Sequence, residues 1–177
     1  MNSGDFVYEF SSIDIKGGKV FLWKDITEIT HVKSVMVTDV ITGVFNAQFM
    51  KDEIERELDR VHREGQMALV LIDLEMGNVV PETKQIIAAF KNTLRNFDRI
   101  CKGDRSDYAL ILYAVDPNRI EKIGKRILKA LKDLEIQKVS VGITLSERAA
   151  SAEAMIKQAQ RALYVVNKRG GNDISIY

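Results

Sequence analysis

Most of what would mark this chain as specialised is missing from it. With a single cysteine, Cys101, no intramolecular disulfide can form. No stretch reaches the apolar length of a membrane span or a signal-peptide core, so no membrane partner is expected and the cytoplasm is the expected compartment. A surplus of one charge is missing too: 26 Lys and Arg stand against 25 Asp and Glu, which leaves no overall field to attract nucleic acid or an anionic bilayer. Only two prolines occur, Pro81 and Pro117, and no repeat or low-complexity stretch interrupts the chain.

What remains suits an ordinary globular domain. The 177 residues are 46% apolar and 29% charged, enough to bury one good core with a small appendage. The appendage comes first: "DFVYEFSSIDIKGGKVFLWKDITE" reads as two strands turning at Gly17-Gly18, a dipeptide that tolerates the positive φ of a tight hairpin. Residues 30–38 read as a connector.

The main body then alternates. Residues 46–64 carry Phe49, Ile54, Leu58 and Val61 at helical spacing, and 67–74 is a continuous apolar run leading to Asp73 and Glu75 at a strand exit. Pro81 and Glu82 open a second helix expected to run through Phe97, with Pro81 in its first turn. Strands follow at 99–102 and 108–114. Asp116-Pro117 caps a third helix with Ile120, Ile123, Ile127, Leu128, Leu131 and Leu134 inward and Arg119, Lys122, Arg126 and Lys129 outward. A strand at 138–144, a helix at 151–168 closed by Gly170-Gly171, and an edge strand at 173–177 complete the order βαββαβαβ.

One stretch resists a purely structural account. "CKGDRSDYALIL" (101–112) places a tight knot of charge, Gly103-Asp104-Arg105-Ser106-Asp107, between two strands that belong in the core.

"DVITGVFN" (39–46), "LIDLE" (71–75), "SVGIT" (140–144) and "ALYVVNKRGGN" (162–172) occur in the order and spacing of the GGDEF family, and over residues 39–177 the chain resembles a diguanylate cyclase domain. The resemblance implies an α/β (α+β) fold, a mixed five-stranded central sheet flanked by helices, and it explains the charged knot. Where the family carries Gly-Gly-Asp-Glu-Phe, this chain has Asp104-Arg105-Ser106-Asp107-Tyr108.

The differences bear on catalysis. The family's glycines let the substrate lie against bare backbone, a space that Asp104 and Arg105 fill. Its third residue is a carboxylate that holds a divalent metal together with the position of Asp73, and Ser106 is a poor oxygen donor by comparison. Asp107 keeps an acid, shorter than the usual Glu. The segment that holds guanine in the family is absent from "MGNVVPETKQIIAAF". The family's phosphate-neutralising Lys and Arg fall at Asn167 and Gly171, with Lys168 and Arg169 adjacent. The resemblance therefore implies a catalytically inactive domain with no catalytic residues and no cofactor, beyond a remnant magnesium site at Asp73 and Asp107.

A second feature of the family is retained. Many members bind the product, cyclic di-GMP, through an Arg-x-x-Asp before the signature turn and an Arg from the next helix. Here "RNFD" supplies Arg95 and Asp98, and Arg126 stands at the third position, which makes cyclic di-GMP the candidate partner. In that reading the arginines take phosphate and guanine, and the carboxylate accepts from guanine N–H groups.

Plainer readings stand beside these. An Arg and an Asp three apart are ordinarily a solvated ion pair. Asp73, Glu75 and Asp107 read equally as remnant acids at strand ends. Cys101 reads as a small buried hydrophobe, and His31 and His62 have no partners for a triad nearby. "GGKVFLWKDITE" resembles the last strand and exit signal of a PAS sensor domain, with Asp25 and Thr27 at its motif positions.

The expected organisation is a PAS-like hairpin at 1–30, a connector at 31–38 and a degenerate GGDEF domain at 39–177. The favoured function is an inactive regulatory module in bacterial cyclic di-GMP signalling, working as a homodimer or with an upstream PAS or sensor region. A nucleotide-free interaction or dimerisation module is the alternative, and residual GTP or metal binding with weak cyclase activity ranks third.

Overall fold

The computed structural model describes residues 8–25, 37–64 and 66–177. Phe6, Thr27, His31 and most of the expected connector lie outside the described residues, as do the side chains of Val61 and His62. The chain divides into two compact units, Met1–Val37 and Thr38–Tyr177.

In the first unit β1 (Tyr8–Ile15) pairs antiparallel with β2 (Gly18–Asp25). The turn is Lys16-Gly17 rather than the glycine pair, because Gly18 already pairs with Ile15 and only Gly17, at φ +102°, takes the positive-φ position. Phe10 sits opposite Trp23 on one face, with Phe21 stacked diagonally, while Ile13 and Val20 are opposed on the other. Both faces are therefore apolar and exposed; Trp23 keeps 69% of its surface.

The second unit is the sheet predicted from sequence. Helix α1 (Ala47–Glu64) leads into β3 (Gln66–Glu75), α2 (Thr83–Thr93), β4 (Arg99–Lys102) and β5 (Tyr108–Val115). A single 3-10 turn then opens α3 (Ile120–Lys132), followed by β6 (Lys138–Leu145), α4 (Ala152–Lys168) and β7 (Asp173–Ile176). The five strands lie in the order β4-β5-β3-β6-β7, antiparallel except for the β6–β7 pair.

Strand β3 is central because its residues are apolar on both faces. Ala68, Val70 and Ile72 pack with Ile86 and Phe90 of α2 and Ile127 and Leu131 of α3. Met67, Leu69 and Leu71 pack on the opposite side with Met50 and Ile54 of α1 and Met155, Ala159 and Leu163 of α4. One sheet thus separates two helix layers, each with its own core.

Local chemistry sets the helix starts. Asn46 Oδ1 accepts from Phe49 N (2.7 Å) ahead of α1, Ser151 caps α4, and Asp116 Oδ1 accepts from Asn118 N (3.0 Å) before α3. For α2 the cap is Glu82, whose N–H donates to Gln85 Oε1 at 2.8 Å in a reciprocal capping box. Pro81 therefore precedes the helix instead of entering its first turn.

Candidate functional site: the exit of β3 and a cationic groove

The acids at the exit of β3 are already engaged. Asp73 Oδ2 accepts from Asn167 Nδ2 of α4 at 2.7 Å, a bond that ties the last turn of α4 to the exit of β3. Glu75 forms an ion pair with Lys138 at the start of β6. Asp107 Oδ2 accepts from Leu74 N at 2.7 Å, and Asp107 N donates to Ile72 O at 3.0 Å, which stitches the charged turn onto β3.

The turn itself is shaped by Gly103. A Cβ there would sit 2.4 Å from the Ser106 carbonyl oxygen, so the chain folds back on bare backbone one residue before the family's glycine pair. Ser106 Oγ is spent on the Tyr108 carbonyl (3.2 Å), while Asp104 and Arg105 are exposed at the tip. Among the described residues no group of three or more His, Cys, Asp or Glu is placed to hold a metal ion. Two carboxylates already bonded elsewhere and a hydroxyl do not suit a hard divalent cation, which wants several charged oxygens.

Gly171, just beyond α4, has no room for a side chain. It has φ +75°, and a Cβ there would meet Lys138 Cγ at 2.2 Å and Ser140 Oγ at 3.0 Å. The Lys138 side chain has taken the space an arginine at 171 would need, and both the backbone and the neighbour oppose any side chain.

The Arg-x-x-Asp segment is built differently from the sequence expectation. Helix α2 stops at Thr93, and Leu94 is extended (φ −95°, ψ 164°), so Arg95 to Asp98 form a turn into β4 rather than the last turn of a helix reaching Phe97. Asp98 is the physical reason: its Oδ2 accepts from Arg95 N at 2.9 Å, a local side-chain bond that competes with helical backbone pairing. Its Oδ1 accepts from Tyr113 N of β5 at 3.2 Å, which fastens the turn to the sheet. Arg95 is exposed, with its guanidinium carbon 5.6 Å from the centre of the Phe97 ring.

Arg126 comes to the same place from α3. Its Nη2 donates to the Thr93 carbonyl at 2.6 Å, capping α2 with a cation as the helix dipole favours. Arg95, Asp98 and Arg126 line one groove of about 960 Å³ between α3 and the α2–β4 turn, with Leu94, Leu112, Val115 and Ile123 among its apolar lining. A second groove of about 700 Å³, bordered by Lys84, Lys91 and Arg99, shares Arg95 and Asp98 with the first.

The charge of the first groove goes beyond the three expected residues. Arg119, Lys122, Lys125 and Lys129 also line it, giving six cations against the carboxylates of Asp98 and Asp116, on a chain whose formal net charge is +1. Lys125 is paired with Glu121 (2.5 Å) and Arg119 lies 3.5 Å from Asp116. The outward helical face of α3 had placed Arg119, Lys122 and Lys129 beside Arg126, and this spacing was the available signal that they belong to the same site. Nothing in the sequence pointed to the Asn167–Asp73 and Lys138–Glu75 pairs.

No family model matches the chain. It is similar to the diguanylate cyclase DosC of Escherichia coli K12, with 22% identity over 159 residues, which cover 78% of this chain and 35% of DosC. It is also similar to the diguanylate cyclase DgcP of Pseudomonas aeruginosa, at 26% identity over 77% of this chain and 23% of DgcP. The chain therefore matches about a third or less of the length of these curated relatives. Among solved structures, the GGDEF domain of YfiN from Pseudomonas aeruginosa superimposes with a TM-score of 0.67 at 20% identity, covering 78% of this chain and 93% of that one. The GGDEF domain of DgcB from Caulobacter crescentus, solved in complex with c-di-GMP, gives 0.68 at 14% identity over 79% and 92%. The fold is that of GGDEF domains.

Proposed function

We propose that residues 38–177 form a GGDEF-type domain that has given up catalysis and serves as a receptor for cyclic di-GMP in bacterial signalling. The observation that carries this reading is the convergence of Arg95, Asp98 and Arg126, from two separate segments, on a groove whose other charged lining is almost wholly cationic. Two phosphodiesters need donors of this kind, and guanidinium groups supply charge-assisted, forked hydrogen bonds to them. Of Arg126's five N–H donors only the one on Thr93 is committed to a protein acceptor among the described residues. The apolar groove lining offers a surface for the flat purine faces.

The loss of catalysis rests on the opposite end of β3, where every family position for metal or phosphate is either replaced or internally bonded. Under this reading the domain works without magnesium. The hairpin is read as PAS-like and as the link to an upstream sensor region or a second copy.

A second reading, a nucleotide-free interaction module, draws on that hairpin, whose apolar residues are exposed on both faces. Titration of the full chain with cyclic di-GMP separates the two: saturable binding that depends on Arg95 and Arg126 supports the receptor, and its absence leaves the interaction module.

A further inference from the structure

The turn that presents Arg95 is also held by a side chain that does not line the cationic groove. Arg99, the first residue of β4, donates from Nη1 to the Phe97 carbonyl at 2.8 Å. Its guanidinium carbon lies 5.9 Å from the centre of the Phe45 ring and 5.7 Å from that of Tyr113. The Phe97 ring in turn lies 5.6 Å from the guanidinium carbon of Arg95. Arginine suits this place: a planar guanidinium faces aromatic rings and keeps N–H groups at its edge for a carbonyl, whereas a lysine ammonium is a compact, strongly hydrated point charge.

Phe45, at the far end of this chain of contacts, is fixed to the sheet. Its N–H donates to Ile100 O at 3.1 Å and its carbonyl accepts from Lys102 N at 2.7 Å, which lays it along β4. Behind it residues 38–45 form a closed loop in which Thr38 bridges to Phe45. Asp39 N donates to Val44 O (2.7 Å), Gly43 N to Asp39 O (2.8 Å), and Asp39 Oδ1 accepts from both Thr42 N (2.8 Å) and Thr42 Oγ1 (2.6 Å). A loop bonded to itself in this way passes a displacement of its Thr38 end on to Phe45. Thr38 is where the chain enters the second unit.

We infer that Arg99 is a positioning residue that sets the Arg95 turn and couples it to the entry loop 38–45. The functional consequence rests on the receptor reading above: a shift of the loop changes the affinity for cyclic di-GMP, and binding restrains the loop in return. Arg99 is outside the groove lining and therefore acts through Arg95, without touching the ligand.

Calorimetric titration of the full chain with cyclic di-GMP, together with amide hydrogen exchange, tests this. Arg99→Lys keeps the charge and is expected to weaken binding about threefold to tenfold, up to the scale of one charge-assisted hydrogen bond. In an Arg95→Ala background the same substitution is expected to change affinity by less than about twofold, whereas a general structural defect would weaken both backgrounds alike. Phe45→Leu, which removes the ring face and keeps apolar bulk, is expected to follow the same pattern. Without ligand, Arg99→Lys is expected to speed exchange of the Tyr113 amide, whose hydrogen Asp98 Oδ1 accepts, by about tenfold. Leu69 and Val70 in the central strand should change by less than about twofold. If cyclic di-GMP binds but Arg99→Lys is silent, or acts equally in both backgrounds, the positioning role is overturned and the receptor reading stands. A silent Phe45→Leu overturns the coupling to the loop. If cyclic di-GMP gives no binding, the receptor reading falls and exchange at Tyr113 decides the positioning role, which an unchanged rate overturns.

Discussion

Asn167 donates its side-chain amide to Asp73 at 2.7 Å, joining the last turn of α4 to the exit of β3. In the proposed reading a neutral donor thus holds the acid expected from the family resemblance to ligate a metal, and it stands where the resemblance implies a phosphate-binding lysine. Incubation with GTP and magnesium or manganese should therefore yield no cyclic di-GMP by chromatography. Nor should restoring Gly-Gly-Asp-Glu-Phe at 104–108 rescue it, even with Asn167→Lys and Gly171→Arg, because Lys138 fills the space at 171 and, in the proposed reading, the family's guanine-binding segment would still be missing. Product from the unmodified chain that disappears in Asp73→Ala would contradict this.

Tyr113 fixes α1 to the sheet. Its hydroxyl donates to Glu53 Oε1 at 2.7 Å, and Glu53, only 6% exposed, also pairs with Arg56 at 2.6 Å. Tyr113→Phe removes one partner from a buried carboxylate and should cost about 1–3 kcal/mol in urea unfolding. A change below roughly 0.5 kcal/mol, the scale of a neutral surface substitution, would show that Arg56 alone satisfies the acid.

Cys101 is fully buried, and burial, reinforced by the Glu53 carboxylate, pushes its thiol up from 9.0 to about 12. The native protein should therefore resist iodoacetamide at pH 8, with modification appearing only in denaturant. Because the folded state holds this proton more tightly than the unfolded chain, the contribution is complete below pH 9.0 and is lost as the pH rises toward about 12. Cys101→Ala should flatten that alkaline loss of stability. Rapid native labelling at pH 8 would contradict the burial.

Much of this was legible in the sequence, and the limits have physical causes. The order of elements along the chain followed from period, because β3, β5 and β6 are apolar runs bounded by clear turns, and the mixed five-stranded sheet from the family motifs; the spatial order of the strands came only with the structure. The end of α2 was not legible: "NTLRNFD" continues a helical pattern, and only the Asp98 bond to Arg95 N shows that the local turn wins. Pro81 was misplaced for a similar reason, since the reciprocal Glu82–Gln85 cap competes with the preference of proline for a first turn. At the exit of β3 the sequence offered only the expectation, drawn from the family resemblance, that a Lys, an Arg and an acid are replaced. The internal pairing there could not be read, because Asn167 and Asp73 are 94 residues apart. The groove lay between these cases: its three named residues came from the family resemblance, and the additional cations from helical spacing on α3.

The hairpin exposes Tyr8, Phe10, Phe21 and Trp23 on one face and Ile13, Ile15, Val20 and Leu22 on the other. A two-stranded ribbon with both faces apolar is marginal in water, so it should be covered in solution. Sedimentation is expected to show association that weakens in Phe10→Ser with Trp23→Lys, and the emission of Trp23, the chain's one tryptophan, should be blue-shifted relative to the free indole. A monomer at high concentration with water-like Trp23 emission would contradict this.

The most direct test of a receptor without catalysis is calorimetric titration of cyclic di-GMP into the full chain at low salt, repeated with Arg95→Ala, Asp98→Ala and Arg126→Ala. The account predicts saturable binding at about micromolar affinity or tighter, weakened roughly tenfold to a hundredfold by either Arg substitution, reduced by Asp98→Ala through the loss of the turn, and falling as salt rises. No heat from the unmodified protein, with no displacement by cyclic di-GMP in large excess, would contradict it.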